Sequence, residues 1–125
     1  MTDRDELTDA LAAARAAADK GGEEVMVLDV GPVLAVCGAF VIASAPSTRQ
    51  VRTIAEAIEE RVGADGGPKP IRVEGLDDLR WVLLDYGDFV AHVFLDETRR
   101  YYDLERLWSD VERVPWQDGT GAAEG

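Results

Sequence analysis

The stretch RWVLLDYGDFVAHVFL, residues 80–95, decides the fold. Two runs rich in branched and aromatic residues, 80–86 and 89–95, flank Gly87-Asp88. Two turn residues between such runs predict a tight antiparallel hairpin. The loop also sets the register: Tyr86 opposes Phe89, Leu84 opposes Ala91 and Val82 opposes Val93. Opposed residues share a face of a sheet. One face therefore carries Val82, Leu84, Tyr86, Phe89, Ala91 and Val93, and is assigned to the core. The other carries Trp81, Leu83, Asp85, Val90, His92 and Phe94. That second face mixes aromatics, aliphatics, a carboxylate and the sole histidine. It is either packed under a helix with its polar pair satisfied, or exposed as a contact surface. A slip of one residue would exchange the two faces.

Upstream, PIRVEG at 70–75 reads as a short strand near an edge, because of its proline. Before it lies the clearest helix. Ser47-Thr48-Arg49-Gln50 fits a capping box, with Ser47 as N-cap and the Gln50 side chain reaching back. Val51, Ile54, Ala55, Ile58 and Val62 then form one apolar stripe, and Gly63 through Gly66-Gly67-Pro68 closes the helix. AFVIAS at 39–44 and VMVLDV at 25–30 are nearly all apolar, the pattern of strands covered on both faces. Residues 33–38 between them have no clear period. Residues 3–20 predict a further helix on Leu7, Leu11, Ala14 and Ala18, ended by Gly21-Gly22. Its apolar stripe is thin, which predicts loose packing. Downstream, helix returns from Tyr101, with Asp103 as cap of a short turn carrying Leu104, Leu107 and Trp108. The small, polar residues from Gly119 predict a disordered tail.

At 125 residues the chain is expected to form one α/β domain, a mixed sheet with flanking helices. It has 13 basic and 25 acidic residues, a net charge of -12. Binding to phosphates needs a dense field of Lys and Arg, so this charge argues against a duplex-coating or membrane-surface protein. It suits a partner that is itself basic. One cysteine, Cys37, excludes an internal disulfide and a multi-cysteine zinc site. No apolar run reaches the length of a membrane span. The acidic start MTDRDELTDA lacks the features of a signal peptide, which predicts a cytoplasmic protein.

Catalytic signals are thin. Asp85 and His92 are diagonal neighbours in the hairpin register. They form either an acid–base dyad or, the favoured reading, a structural hydrogen bond that satisfies the imidazole. Nothing in the sequence brings Ser44 or Cys37 to His92, and Cys37 reads as a small core residue. Asp77-Asp78 and Asp85…Asp88 suggest magnesium only weakly against a solvated acidic surface. Arg49 and Arg52 could meet an anion at a helix start, but read better as a solvated face. There is no GxGxxG and no P-loop. A nucleotidyltransferase would need a Gly-Ser loop leading into an Asp-x-Asp pair, which the chain lacks. The expectation is no catalysis, no cofactor and no metal. Trp81, Phe94, Tyr101, Tyr102, Leu104, Leu107 and Trp108 are dense over residues 81–108. Such aromatic and aliphatic side chains serve either the core or a protein interface, where Trp and Tyr are favoured.

FVIAS at 40–44, STRQV at 47–51, RVEGLDDLRWVLLDYGDFVAHVF at 72–94 and YYDLERLW at 101–108 together resemble the Iojap family. Its bacterial members are known as ribosomal silencing factors. The resemblance covers residues 23–110, with 1–22 as an N-terminal helix and 111–125 as a C-terminal tail. It departs from the family pattern at Gly38-Ala39 and Ala45-Pro46. The resemblance implies a nucleotidyltransferase-like α/β fold without the catalytic acids. It further implies binding to protein fourteen of the large ribosomal subunit, a block on subunit joining and repression of translation when nutrients are short. Organelle relatives act in large-subunit assembly. Carried over by position, the partner-binding surface is Trp81, Asp85, Tyr86, Asp88, His92, Phe94, Tyr101, Tyr102 and Trp108. Direct nucleic-acid readout is not expected. The alternatives are large-subunit assembly, a homodimer formed through the aromatic face, and a minimal nucleotidyltransferase.

Overall fold

A computed structural model describes residues 2–34 and 37–117, with side chains from residue 7 onward. In chain order its elements are α1 (Thr2–Asp19), β1 (Glu23–Asp29), β2 (Ala39–Ala45), α2 (Thr48–Ala64) and β3 (Arg72–Glu74). They continue as β4 (Trp81–Asp85), β5 (Phe89–Leu95), α3 (Asp96–Tyr102), α4 (Leu104–Leu107) and β6 (Glu112–Val114). The strands form one mixed sheet in the order β3-β4-β5-β2-β1-β6. Only the central pair, β2 and β5, is parallel. This is the expected single α/β domain, and β3 lies at an edge.

The hairpin has the register its loop dictates. Val82 pairs with Val93 and Leu84 with Ala91, and the Tyr86 N–H donates to the Phe89 carbonyl at 2.9 Å. Gly87 takes φ +85°, a conformation that glycine adopts without strain. Every residue of β2 is buried, because α1 and α2 cover one face and the C-terminal segment covers the other. Alternation divides the core accordingly. Val41, Ala43, Leu84, Phe89, Ala91 and Val93 meet the two long helices. Phe40, Ile42 and Phe94 lie on the opposite face.

Four expectations change. First, α1 is not loosely held: Ala10, Ala13, Ala14 and Ala17 are fully buried. A stripe of methyl groups lets the helix backbone approach its neighbours closely, so small side chains make a tight contact here. Second, the capping box is only half formed. Ser47 Oγ accepts from the Gln50 N–H at 3.2 Å. The Gln50 side chain instead donates to the carbonyls of Lys20 (3.0 Å) and Gly21 (3.3 Å). The end of α1 supplies these acceptors where Gly21, at φ +84°, turns the chain away. Third, the C-terminal helix begins at Asp96, directly after β5. Asp103 makes no side-chain cap bond. It takes a left-handed backbone (φ 52°, ψ 52°) that ends α3, and its N–H donates to the Arg99 carbonyl at 2.7 Å. Fourth, residues 111–117 are not tail. Strand β6 pairs with β1, and Trp116 Nε1–H donates to the Val25 carbonyl at 2.9 Å. A three-residue strand is too short to show a period in sequence. The disorder expected from Gly119 falls outside the described residues. Among the described residues, no helix is long and apolar enough to cross a membrane.

Candidate functional site

The face of the sheet away from α1 and α2 is built from rings. Phe40 of β2 meets His92 of β5 edge-on, with centroids 4.7 Å apart, and meets Trp108 at 5.4 Å. Trp81 of β4 lies 4.8 Å from Phe94 and 4.9 Å from Tyr102. Tyr101 crosses Tyr102 at 5.0 Å. The rings thus run continuously from the buried sheet out to solvent. At the outer end Tyr101 is 81% exposed and Tyr102 50%; on α4, Leu107 is 75% exposed. Beside them a groove of about 620 Å³ is lined by Asp78, Arg80, Trp81, Glu97, Tyr101 and Tyr102, among others. On the mixed face itself His92 and Phe94 are buried, and Trp81, Leu83, Asp85 and Val90 are half-buried, so the face is packed and the open rings come from the segment that covers it.

His92 is buried, and its Nδ1 accepts from Trp81 Nε1–H at 3.1 Å. The neutral ring then carries its proton on Nε2, which is buried without a partner. Burial pushes its pKa down to about 4. The expected hydrogen bond to Asp85 is absent. Asp85 Oδ1 accepts from the Gly87 N–H at 2.9 Å, and Oδ2 lies 3.5 Å from Arg72 Nη2. An aspartate two residues before a turn glycine bonds locally to that backbone. Trp81 is the other diagonal neighbour of His92, and it takes the imidazole. No acid–base dyad forms. Ser44 Oγ accepts from Arg99 at 2.9 Å. The Cys37 thiol points to the Ala39 carbonyl at 3.6 Å, and burial raises its pKa.

Of the nine residues singled out by sequence, Trp81, His92, Phe94, Tyr101 and Tyr102 are gathered in one ring cluster. Trp108 joins it through Phe40. Asp85 sits at the end of the same sheet face. Asp88 is exposed at the hairpin tip, beside a separate cleft of about 340 Å³ that Asp29, Gly31 and Gly38 also line. Tyr86 is on the opposite face, buried and stacked on Phe89 at 4.6 Å. Burial raises its phenol well above the usual range. The hairpin register had placed Tyr86 in the core, and there it lies. Two site residues escaped the sequence reading. Phe40 looked like any strand residue. Arg99, 4% exposed, sits in a run of charged residues that gives no sign of burial.

A sequence model described as "Ribosomal silencing factor during starvation" matches residues 3–124. The chain belongs to the ribosomal silencing factor family. The match extends beyond the expected 23–110 at both ends. Ribosomal silencing factor RsfS of Bacillus subtilis is 41% identical over 79% of this chain and 83% of its own length. Mouse "mitochondrial assembly of ribosomal large subunit protein 1" is 30% identical over 72% of this chain, which spans 40% of that protein. A crystal structure of a Chromobacterium violaceum protein superposes with a TM-score of 0.78 at 29% identity, covering 90% of this chain and 92% of that one. The names within the silencing factor family describe regulation and ribosome assembly rather than catalysis.

Proposed function

We propose that the protein binds the large ribosomal subunit through its protein fourteen, blocks joining of the small subunit in the cytoplasm, and so represses translation when nutrients are short. One observation carries this reading. A member of a family named for silencing ribosomes leaves Tyr101 and Tyr102 open to water beside the half-buried Trp81. Scattered exposed apolar residues are ordinary, but contiguous aromatics are typical of binding anchors. The net charge of -12 would steer the chain to a basic ribosomal protein and away from bare RNA phosphates. We read the chain as non-catalytic, since Asp85 is engaged by its own turn. Nucleotide transfer that needs magnesium and is lost in Asp85→Ala or Asp88→Ala would contradict this.

Co-sedimentation with purified large subunits tests the binding. Truncating an aromatic anchor typically costs about 2 kcal/mol, roughly thirtyfold in affinity. Tyr102→Ala is expected to lose that much while its circular dichroism stays native. A folded Tyr102→Ala protein that sediments like wild type would defeat the assignment. Large-subunit assembly is the second reading, motivated by the name of the mouse relative. It predicts immature large subunits on depletion, whereas silencing predicts mature subunits that join too readily.

A further inference from the structure

We propose that Arg99 is the positioning residue of the docking surface, clamping α3 and α4 onto the bulged start of β1. The inference rests on the functional reading above and adds a residue to it. Tyr101 and Tyr102 ride on α3, seven residues long, and Leu107 on α4, four residues long. Helices so short do not hold themselves. Nor does apolar burial seat them firmly. In α3 the only buried residue is Arg99, and α4 has none. Leu104 and Trp108 make half-buried contacts with the sheet. The deepest attachment of this segment is a cation.

Its geometry is that of a fork reading backbone. Arg99 Nη1 donates to the Glu23 carbonyl at 3.0 Å and to Ser44 Oγ at 2.9 Å. Nη2 donates to the Glu24 carbonyl at 2.8 Å, and Nε to Glu105 Oε2 at 3.1 Å. These bonds use four of the five guanidinium N–H groups. The carbonyls belong to an irregular stretch. The register of β1 against β2 shifts between Glu23 and Met26, and Glu24 has φ +46°. Such a bulge withdraws backbone groups from the ladder, and here the guanidinium meets two of them. Glu105 belongs to α4, so one side chain ties β1, β2 and both short helices. The Arg99 carbonyl also accepts the Asp103 N–H that closes α3. A buried ion pair adds little net stability over well-packed apolar residues. Its planar, directional donors instead fix an orientation. The oriented objects are the rings that leave the surface.

Arg99→Lys keeps the charge and loses the fork. Hydrogen exchange on the full chain should show faster exchange across residues 96–108, with β2 and β5 protected as in wild type. Unchanged protection at 96–108 would overturn the clamp. Co-sedimentation with large subunits should then show about tenfold weaker binding for Arg99→Lys, and a double variant with Tyr102→Ala that loses less than the product of the two single losses. Such non-additivity marks residues acting through one contact. Full multiplication of the two losses, or wild-type affinity in Arg99→Lys, would overturn it. Gln50→Ala cuts a different tie between elements and should leave affinity unchanged. An equal loss there would mean that affinity follows general stability, against the proposal. Wild-type protein that fails to sediment with large subunits defeats the functional reading, while the exchange measurement still decides the clamp.

Discussion

Under α1 and α2 the sheet meets alanine and aliphatic side chains; under α3 and α4 it meets Tyr102, Trp108 and an arginine. The first face is closed. Its helices are long, their buried stripes are continuous, and their ends are joined by Gln50. The second face is covered by short helices held through directional contacts, and its outer rings stay in water. One sheet thus separates a closed, packed face from one whose outermost rings meet water. Close packing of small apolar groups resists change over the whole face. The ring face gives up some of that packing to present Tyr101, Tyr102 and Leu107.

Substitutions on the two faces should differ accordingly. Leu84→Ala, on the closed face, is expected to cost about 4 kcal/mol and to lower the melting temperature sharply, because the rigid surroundings cannot fill the cavity. A loss under about 1 kcal/mol in denaturant titration would mean that this face is not close-packed. The ring face should carry a pH signature. His92 has a folded pKa of about 4 against 6.5 when unperturbed, so between these values the unfolded chain binds more protons. Stability from this residue is complete above about pH 6.5 and is lost as pH falls toward 4, by roughly 3 kcal/mol at most. His92→Gln keeps an acceptor for Trp81 and removes the titration. The stability difference between wild type and His92→Gln should be flat above pH 6.5 and should shift below it. A flat difference down to pH 4 would place His92 in contact with water.

Smaller effects sharpen the contrast. Gln50→Ala removes two exposed hydrogen bonds between the ends of α1 and α2, and is expected to cost about 1 kcal/mol in thermal or urea unfolding. At the rim of the ring face, Tyr101→Ala should change stability by less than about 0.5 kcal/mol, because an exposed side chain loses little on truncation. Marked destabilisation by Tyr101→Ala would mean that the outer rings belong to the core rather than to a binding surface.

The residues themselves show why one face was more legible than the other. Leu84, Ala91 and the stripe of α2 follow from local rules: a two-residue loop sets a register, and a serine cap sets a helix phase. Ala14 belongs to the stripe read from the sequence, whereas Ala10, Ala13 and Ala17 escape it because a methyl group carries a weak hydrophobic signal, whatever its fit. The partner of His92 was misjudged because the register supplies two diagonals, Trp81 and Asp85. Only the turn at Gly87, which engages Asp85, separates them.

Sequence alone determined five of the six strands, the hairpin register, the capped helix α2, and which residues of the hairpin share a face. All of these arise between residues a few positions apart, where backbone geometry leaves few choices. Tertiary structure decided the rest. Arg99 meets carbonyls 75 and 76 residues away, Trp116 bonds to a carbonyl 91 residues away, and Phe40 bridges His92 to Trp108 only once β2 lies against β5. Which arginine is buried, and which tyrosines stay in water, depends on how the short helices seat against a distant bulge. No local period encodes that, because its partners are backbone atoms whose positions exist only when the sheet is assembled.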